Sequence, residues 1–123
     1  MAAEPVPRAV PEGWTPVAWP DGRAYPLTTR DAPLPVDMVA VMEQRQTKRD
    51  FSQAVQQQVL GEFLWLTCRS RSSRPSPYGP DQESRPYPSA GAMHPIHVLV
   101  GAAATPWQRY DAVSHVLREV PGS

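Results

Sequence analysis

The apolar positions of this chain form two helical stripes followed by short strand-like runs. After Pro35, with Asp37 near the cap, Met38, Val41, Met42 and Arg45 recur at three- and four-residue spacing, which predicts a first helix to about Lys48. Ser52 is placed to cap a second helix, in which Val55, Val59, Phe63 and Leu66 share one face and Leu60 and Leu64 widen the stripe. Gly61 lies inside that stripe and costs about 1 kcal/mol relative to Ala, so it is expected to mark a close helix contact. Residues 69–88, rich in Ser, Arg and Pro, read as one long loop, and a loop of that length in a small domain is usually functional or disordered. Ile96 to Val100 then reads as a short buried strand, and Trp107–Tyr110 with Val116–Val120 as a hairpin around a polar turn.

Upstream of the first stripe the pattern changes. Residues 1–36 hold eight of the sixteen prolines, together with Trp14, Trp19 and Tyr25. Proline at this density excludes regular helix and favours extended or polyproline backbone. A bare linker seldom carries three large aromatics, so part of this arm is expected to lie against a surface. Pro20-Asp21-Gly22 is a turn signal. The expected organisation is a proline-rich arm over 1–35 and an α+β domain over 36–123, two helices followed by antiparallel strands.

Composition narrows the function classes. At 123 residues and 41% hydrophobic, the chain is one domain at most, with a modest core. Lysine plus arginine is 12 and aspartate plus glutamate is 12, so no net field draws in nucleic acid or an anionic membrane. Eleven of the cations are Arg and only Lys48 is Lys, a balance suited to holding planar anions rather than to lysine chemistry. The single cysteine, Cys68, excludes an internal disulfide and a multi-cysteine metal site, and its apolar helical setting reads as a structural thiol. His94, His97 and His115 have no carboxylate or cysteine at metal spacing, so structural hydrogen bonding is their expected role and no metal is expected. The opening MAAEPVPRAV has no long apolar core and no run approaches a membrane span, so a soluble cytoplasmic protein is expected.

Two segments are candidates for chemistry. Arg45-Gln46-Thr47-Lys48-Arg49-Asp50-Phe51 gathers three cations and a hydroxyl at the end of the first helix, a set able to grip a phosphate. Pro88-Ser89-Ala90-Gly91-Ala92-Met93-His94-Pro95 is a run of small residues whose amides can approach a flat or anionic ligand closely. Alone, the first is an ordinary complement to a helix dipole and the second an ordinary turn into a strand.

Their order carries more. RQTKRDF, LGEFLWLTCRSR, RPYPSAGAMHPIHVLV and RYDAVSHVLREV, preceded by AYPLTTRDAPLP, together resemble the nitroreductase-like FMN-dependent oxidoreductases, most closely the azoline (thiazoline/oxazoline) dehydrogenases. In that family an Arg-Arg-Ser-x-Arg-x-Phe motif ends the first helix, a Leu-Gly-Glu-Leu-Leu-like helix follows, and Pro-Ser-Ala-Gly-Ala-x-x-Pro leads into a strand. A hairpin reading Tyr-Asp-Pro-x-x-His-x-Leu comes next. The resemblance spans roughly residues 24–120, and Pro-Ser-Ala-Gly-Ala is its most specific piece. It implies FMN as cofactor, with Arg45, Thr47 and Arg49 contacting its phosphate, ribityl chain or pyrimidine edge. It implies that Pro88, Ser89, Ala90 and Gly91 pack on the isoalloxazine of a neighbouring protomer, because such sites form at a dimer interface.

The departures shape the expectation. Gln46 stands for the second Arg, Thr47 for Ser, and Ala112 for the hairpin Pro. The family's core continues past the hairpin, with the backbone donor near flavin N5 and the residues proposed to act in azoline oxidation. The expected fold is therefore an N-terminal half of the nitroreductase-like fold over 36–123, completed by dimerisation. The expected function is a short subunit of an FMN-dependent dehydrogenase or oxidase acting on a peptide-derived substrate such as an azoline ring or cyclic dipeptide. Its partner would be a longer nitroreductase-like subunit or a second copy of itself, and its catalytic residues are not identified by the sequence. The alternative is a non-catalytic scaffold or binding subunit that stabilises a catalytic partner, which Gln46 and the missing half favour.

Overall fold

A computed structural model of the chain describes residues 15–31, 35–77, 79–102 and 105–123; residues 1–14 of the arm, with Trp14, lie outside this set, as does Tyr78 of the long loop. The elements run in the order β1 (Ala24–Pro26), α1 (Met38–Gln44), α2 (Gln57–Cys68), β2 (Ser72–Arg74), β3 (Gln82–Ser84), a single 3-10 turn (Ala90–Ala92), β4 (Leu99–Ala102), β5 (Thr105–Asp111) and β6 (Val116–Glu119). β1, β6, β5 and β4 form one antiparallel sheet in that order, and β2 and β3 form a separate two-stranded ribbon. This is a small α+β domain with two helices and antiparallel sheets. None of its described helices is long and apolar enough to cross a membrane.

The sheet is built outward from the β5–β6 hairpin. Asp111 ends β5 and its Oδ1 accepts hydrogen bonds from the amides of Val113 and Ser114, both at 3.1 Å, so the side chain closes the turn. Arg118 Nε donates to Asp111 Oδ2 at 3.1 Å and ties β6 to the same carboxylate. His115 completes the turn at a φ of 51°, in the left-handed region that costs an L-residue energy. Its ring is held on both sides. Nδ1 lies 2.8 Å from the Tyr110 hydroxyl, and Nε2 lies 2.9 Å from the Thr28 carbonyl oxygen. A carbonyl can only accept, so Nε2 carries the proton and Tyr110 donates to Nδ1. Trp65 of α2 meets the same ring edge-on, with centroids 5.0 Å apart. His115 thus joins the hairpin, α2 and the segment after β1, the structural role expected of it.

Leu27, Leu64, Tyr110, Ala112 and Leu117 make up the core. α2 reaches it through Gly61 and Leu64, its two buried residues. A Cβ at Gly61 would stand 2.8 Å from Thr28 N and 3.0 Å from Thr28 O, both backbone atoms, so the glycine is what lets α2 lie against the chain after β1. Tyr25 and Pro26 of the proline-rich arm belong to the sheet as its edge strand, where a proline does not interrupt the ladder. The arm's aromatics also find surfaces: the Tyr25 hydroxyl bonds Glu119, and Trp19 packs on His97.

Several boundaries differ from the sequence reading, each for a local reason. α1 ends at Gln44 rather than near Lys48, because Arg45 is already extended at φ −59°, ψ 125°. Asp37 caps α1 as expected, its Oδ1 accepting from the amides of Val39 and Ala40. α2 begins at Gln57, not after Ser52. Asp50 Oδ1 accepts both the Ser52 amide (3.0 Å) and the Ser52 hydroxyl (2.6 Å), which uses up the cap in an Asx turn. The loop over 69–88 is not structureless: β2 and β3 pair within it as an antiparallel ladder, and side-chain bonds such as Arg71 to the Arg85 carbonyl (2.8 Å) and Arg74 to Gln82 (3.1 Å) reinforce it. The strand expected over 96–100 lies at Leu99–Ala102, and Ile96 is 74% exposed rather than buried.

Candidate functional site

The segment after β3 is where small residues, buried polar atoms and unusual backbone angles meet. Ser89 enters it in extended conformation, and its Oγ accepts the amide of His94 at 3.0 Å, closing a tight loop over 89–94. Within that loop Gly91 has φ 63°, Ala92 φ 54° and His94 φ 43°. Gly91 adopts the left-handed region freely; Ala92 and His94 do so at a cost of about 1–3 kcal/mol each. Such strain persists only where the surroundings over-determine it. Here the restraint comes from β3 and the residues after it.

His94 is 7% exposed, and its Nε2 lies 3.0 Å from the Glu83 carbonyl, so Nε2 is the protonated nitrogen. The Tyr87 ring meets the imidazole edge-on at 5.1 Å. Arg85 donates from Nε and NH2 to the Glu83 carboxylate and from NH1 to the Tyr87 hydroxyl at 2.9 Å. Its guanidinium remains firmly charged: burial opposes the charge, but the Glu83 carboxylate and Tyr87 outweigh it. Glu83, Arg85, Tyr87 and His94 thus form a closed brace that holds the small-residue loop to the ribbon. One atom is left over. His94 Nδ1 is buried without a hydrogen-bond partner among the described residues.

Beside this loop is a hollow of about 520 Å³, lined by Tyr87, Pro88, Ser89, Ala90, Met93, His94, Pro95 and Ile96. Its volume lies within the range of small-molecule and cofactor sites, about 300–1,000 Å³. Its walls are mostly apolar, with the Ser89 hydroxyl and the His94 ring as polar features. Pro88, Ser89 and Ala90 of the sequence motif face it; Gly91 shapes the loop and its carbonyl accepts from Gln82 Nε2 at 2.9 Å. Arg45, Thr47 and Arg49 do not line it. They lie on the exposed extended segment after α1 and make no hydrogen bond or ion pair with the described residues. Within one chain, the two motifs therefore do not meet.

A second hollow, of about 340 Å³, lies behind the same loop and shares Met93, His94 and Ile96 with the first. Trp19, Arg85, His97, Arg109 and Asp111 are among its lining residues. Trp19 Nε1 donates to His97 Nδ1 at 3.2 Å, so the His97 proton sits on Nε2. Arg109 lies over the Trp19 ring at 5.7 Å. Burial, together with the positive charges of Arg109 and Arg85, pushes the His97 imidazole below its usual 6.5. Asp111 goes the other way: burial would raise its carboxyl, but the Ser114 amide, Arg118 and the Val113 amide hold it below the usual value.

The His97 shift fixes a sign. The unfolded chain takes up this proton near pH 6.5 and the folded chain only at lower pH, so the stabilisation is complete above 6.5 and is lost as pH falls through that value toward the folded pKa. The thermal midpoint is expected to drop between about pH 7.5 and 5.5, and His97→Asn to flatten part of that drop. An identical pH profile in wild type and variant would contradict it.

The second hollow was not legible in the sequence. Trp19, Arg85, His97 and Arg109 are far apart along the chain and share no motif; only the lopsided Arg content hinted at anion chemistry. In comparisons with protein-family models and with curated proteins, nothing matches this chain.

Proposed function

We propose that this chain is a short subunit of an FMN-dependent oxidoreductase of nitroreductase-like type, contributing flavin-site residues at a subunit interface. The observation that carries the reading is the largely apolar hollow beside Pro88, Ser89 and Ala90, at the segment of the chain most similar to the azoline dehydrogenases. Its walls suit one face of a flat heteroaromatic ring. The Ser89 hydroxyl, already accepting from the His94 amide, keeps its own proton free to donate to a ring heteroatom. In this reading Pro88, Ser89, Ala90 and Gly91 pack on the isoalloxazine, while Arg45, Thr47 and Arg49 serve the phosphate and ribityl end. Those three residues are exposed and do not border the hollow of their own chain, which suits a site shared between chains rather than one closed within a single chain.

The rest of the surface supports assembly. α1 packs on no other helix or strand among the described residues and buries none of its residues. A helix of seven residues is far below the roughly 12–15 needed to persist alone in water, so α1 requires a covering surface. Met38, Val39, Val41, Met42, Phe51, Val55, Val59 and Phe63, on α1, the linker and α2, are all large apolar side chains left exposed. The partner is a longer nitroreductase-like subunit, or a second copy of this chain. Bound flavin would accept a hydride from the substrate, a peptide-derived ring such as an azoline or cyclic dipeptide. This chain's contribution is to pack one ring face, exclude water from it and hold the phosphate.

A non-catalytic scaffold is the second reading, and one observation favours it: Gln46 stands where the family has Arg. Flavin content separates the two. Arg49→Ala is expected to lower the FMN retained per assembled complex by about tenfold, the loss of one charge-assisted contact. Equal FMN in wild type and Arg49→Ala would remove the phosphate role and leave the scaffold.

A further inference from the structure

The second hollow has its own chemistry. Arg109 is on β5, directly across from Arg118 of β6 in the ladder. Like charges placed opposite one another on a sheet are destabilising unless something neutralises them. Arg118 is neutralised by Asp111 at 3.1 Å. Arg109 is not: its described partner is the Trp19 ring, and no described carboxylate pairs with it. Two of the three acids around the hollow are held in ion pairs, and the third, Asp81, has only a hydroxyl partner. Glu83 holds Arg85 at 2.7 Å, Asp111 holds Arg118, and Asp81 takes the Ser73 hydroxyl at 3.3 Å.

His97 adds a fixed donor. Its Nδ1 accepts from Trp19, which leaves Nε2–H as the free donor of a ring kept neutral by burial and by the two guanidiniums. A guanidinium without a carboxylate and an imidazole N–H border the same space, with the Trp19 indole, Val17 and Ile96 as apolar walls. With the Glu83 and Asp111 carboxylates on the lining held by Arg85 and Arg118, these two donors beside flat and apolar walls match an anion carried on a flat body. We propose that the hollow bordered by Trp19, His97 and Arg109 binds an oxyanion, a carboxylate or a phosphate ester, carried on a small unsaturated ligand. Arg109 supplies the charge, His97 Nε2–H a directed hydrogen bond, and Trp19 the stacking surface. The site goes beyond the flavin reading and stands without it, since none of its three residues borders the first hollow.

The test uses the full-length chain without flavin, so its outcome is independent of FMN binding. Benzoate is titrated into ¹⁵N-labelled protein while the Trp19 indole N–H is followed, that resonance being assigned by its loss in Trp19→Phe. The expected result is a saturable shift with benzoate and none with the neutral isostere benzamide. Arg109→Gln should weaken benzoate by about tenfold or more, the worth of a charge-assisted hydrogen bond, and Arg109→Lys should recover part of it. Phenyl phosphate distinguishes the two sources: tighter binding than benzoate assigns a phosphate ester, weaker binding a carboxylate. Equal shifts with benzoate and benzamide overturn the proposal, as does unchanged benzoate affinity in a folded Arg109→Gln. Should that variant not fold, the salt dependence of wild-type binding decides, because an affinity indifferent to added NaCl is not held by Arg109.

Discussion

Leu64→Ala is expected to cost about 2–5 kcal/mol of unfolding free energy, a large share of the roughly 5–15 kcal/mol that holds a domain folded. Leu64 is 2% exposed, the most completely buried large side chain described, and it is the residue through which α2 enters the core of Leu27, Tyr110, Ala112 and Leu117. Few other apolar contacts can compensate in a core this small. Phe63, one position earlier, is 58% exposed and faces away. Phe63→Ala should change the stability of the isolated chain by less than about 0.5 kcal/mol, yet weaken any assembly that covers the exposed face of α2. Chemical unfolding of both variants checks the pair. Comparable losses would mean that α2 presents a different face to the sheet.

Ala90→Trp is expected to remove flavin from the assembled protein altogether. Ala90 lines the 520 Å³ hollow and is itself exposed, so the indole fills the space the ring would occupy without disturbing the core. Retained FMN should fall below detection while the far-ultraviolet spectrum and the stoichiometry of the assembly stay as in wild type. Ala102→Trp, on exposed β4 and outside the hollow, is the control and should keep its FMN. Undiminished FMN in Ala90→Trp would place the ring elsewhere.

The contrast between what the sequence disclosed and what it concealed follows from the kind of signal each element carries. The β5–β6 hairpin was readable because apolar runs flank a polar turn, and Asp111 is the turn's own hydrogen-bond acceptor. Gly61 was readable as a contact because a glycine inside an apolar stripe has few other reasons to be there. The β2–β3 ribbon was not, since Ser72–Arg74 and Gln82–Ser84 contain no apolar residue to set a strand pattern. The start of α2 was misplaced because Ser52 can serve either a helix cap or an Asx turn, and only Asp50 two residues earlier settles which. α1 was overextended because Met38, Val41, Met42 and Arg45 have helical spacing but no described surface to pack on, and without one the helix stops at Gln44.

At the candidate site, the small-residue loop was visible as a motif, and its hollow lies beside it. Its brace was not visible: Glu83, Arg85 and Tyr87 were read as loop, and they fix His94 by contacts that no spacing rule encodes. Arg45, Thr47 and Arg49 were equally visible, but they lie exposed and do not border the hollow.

The most direct measurement of the central claim is the visible absorbance spectrum of the affinity-tagged full chain isolated with its partners from its native cells, beside the same chain produced alone and mixed with FMN. The account predicts flavin bands in the native assembly, with FMN released on denaturation, and little or none retained by the solitary chain. A stable native assembly without flavin would contradict it.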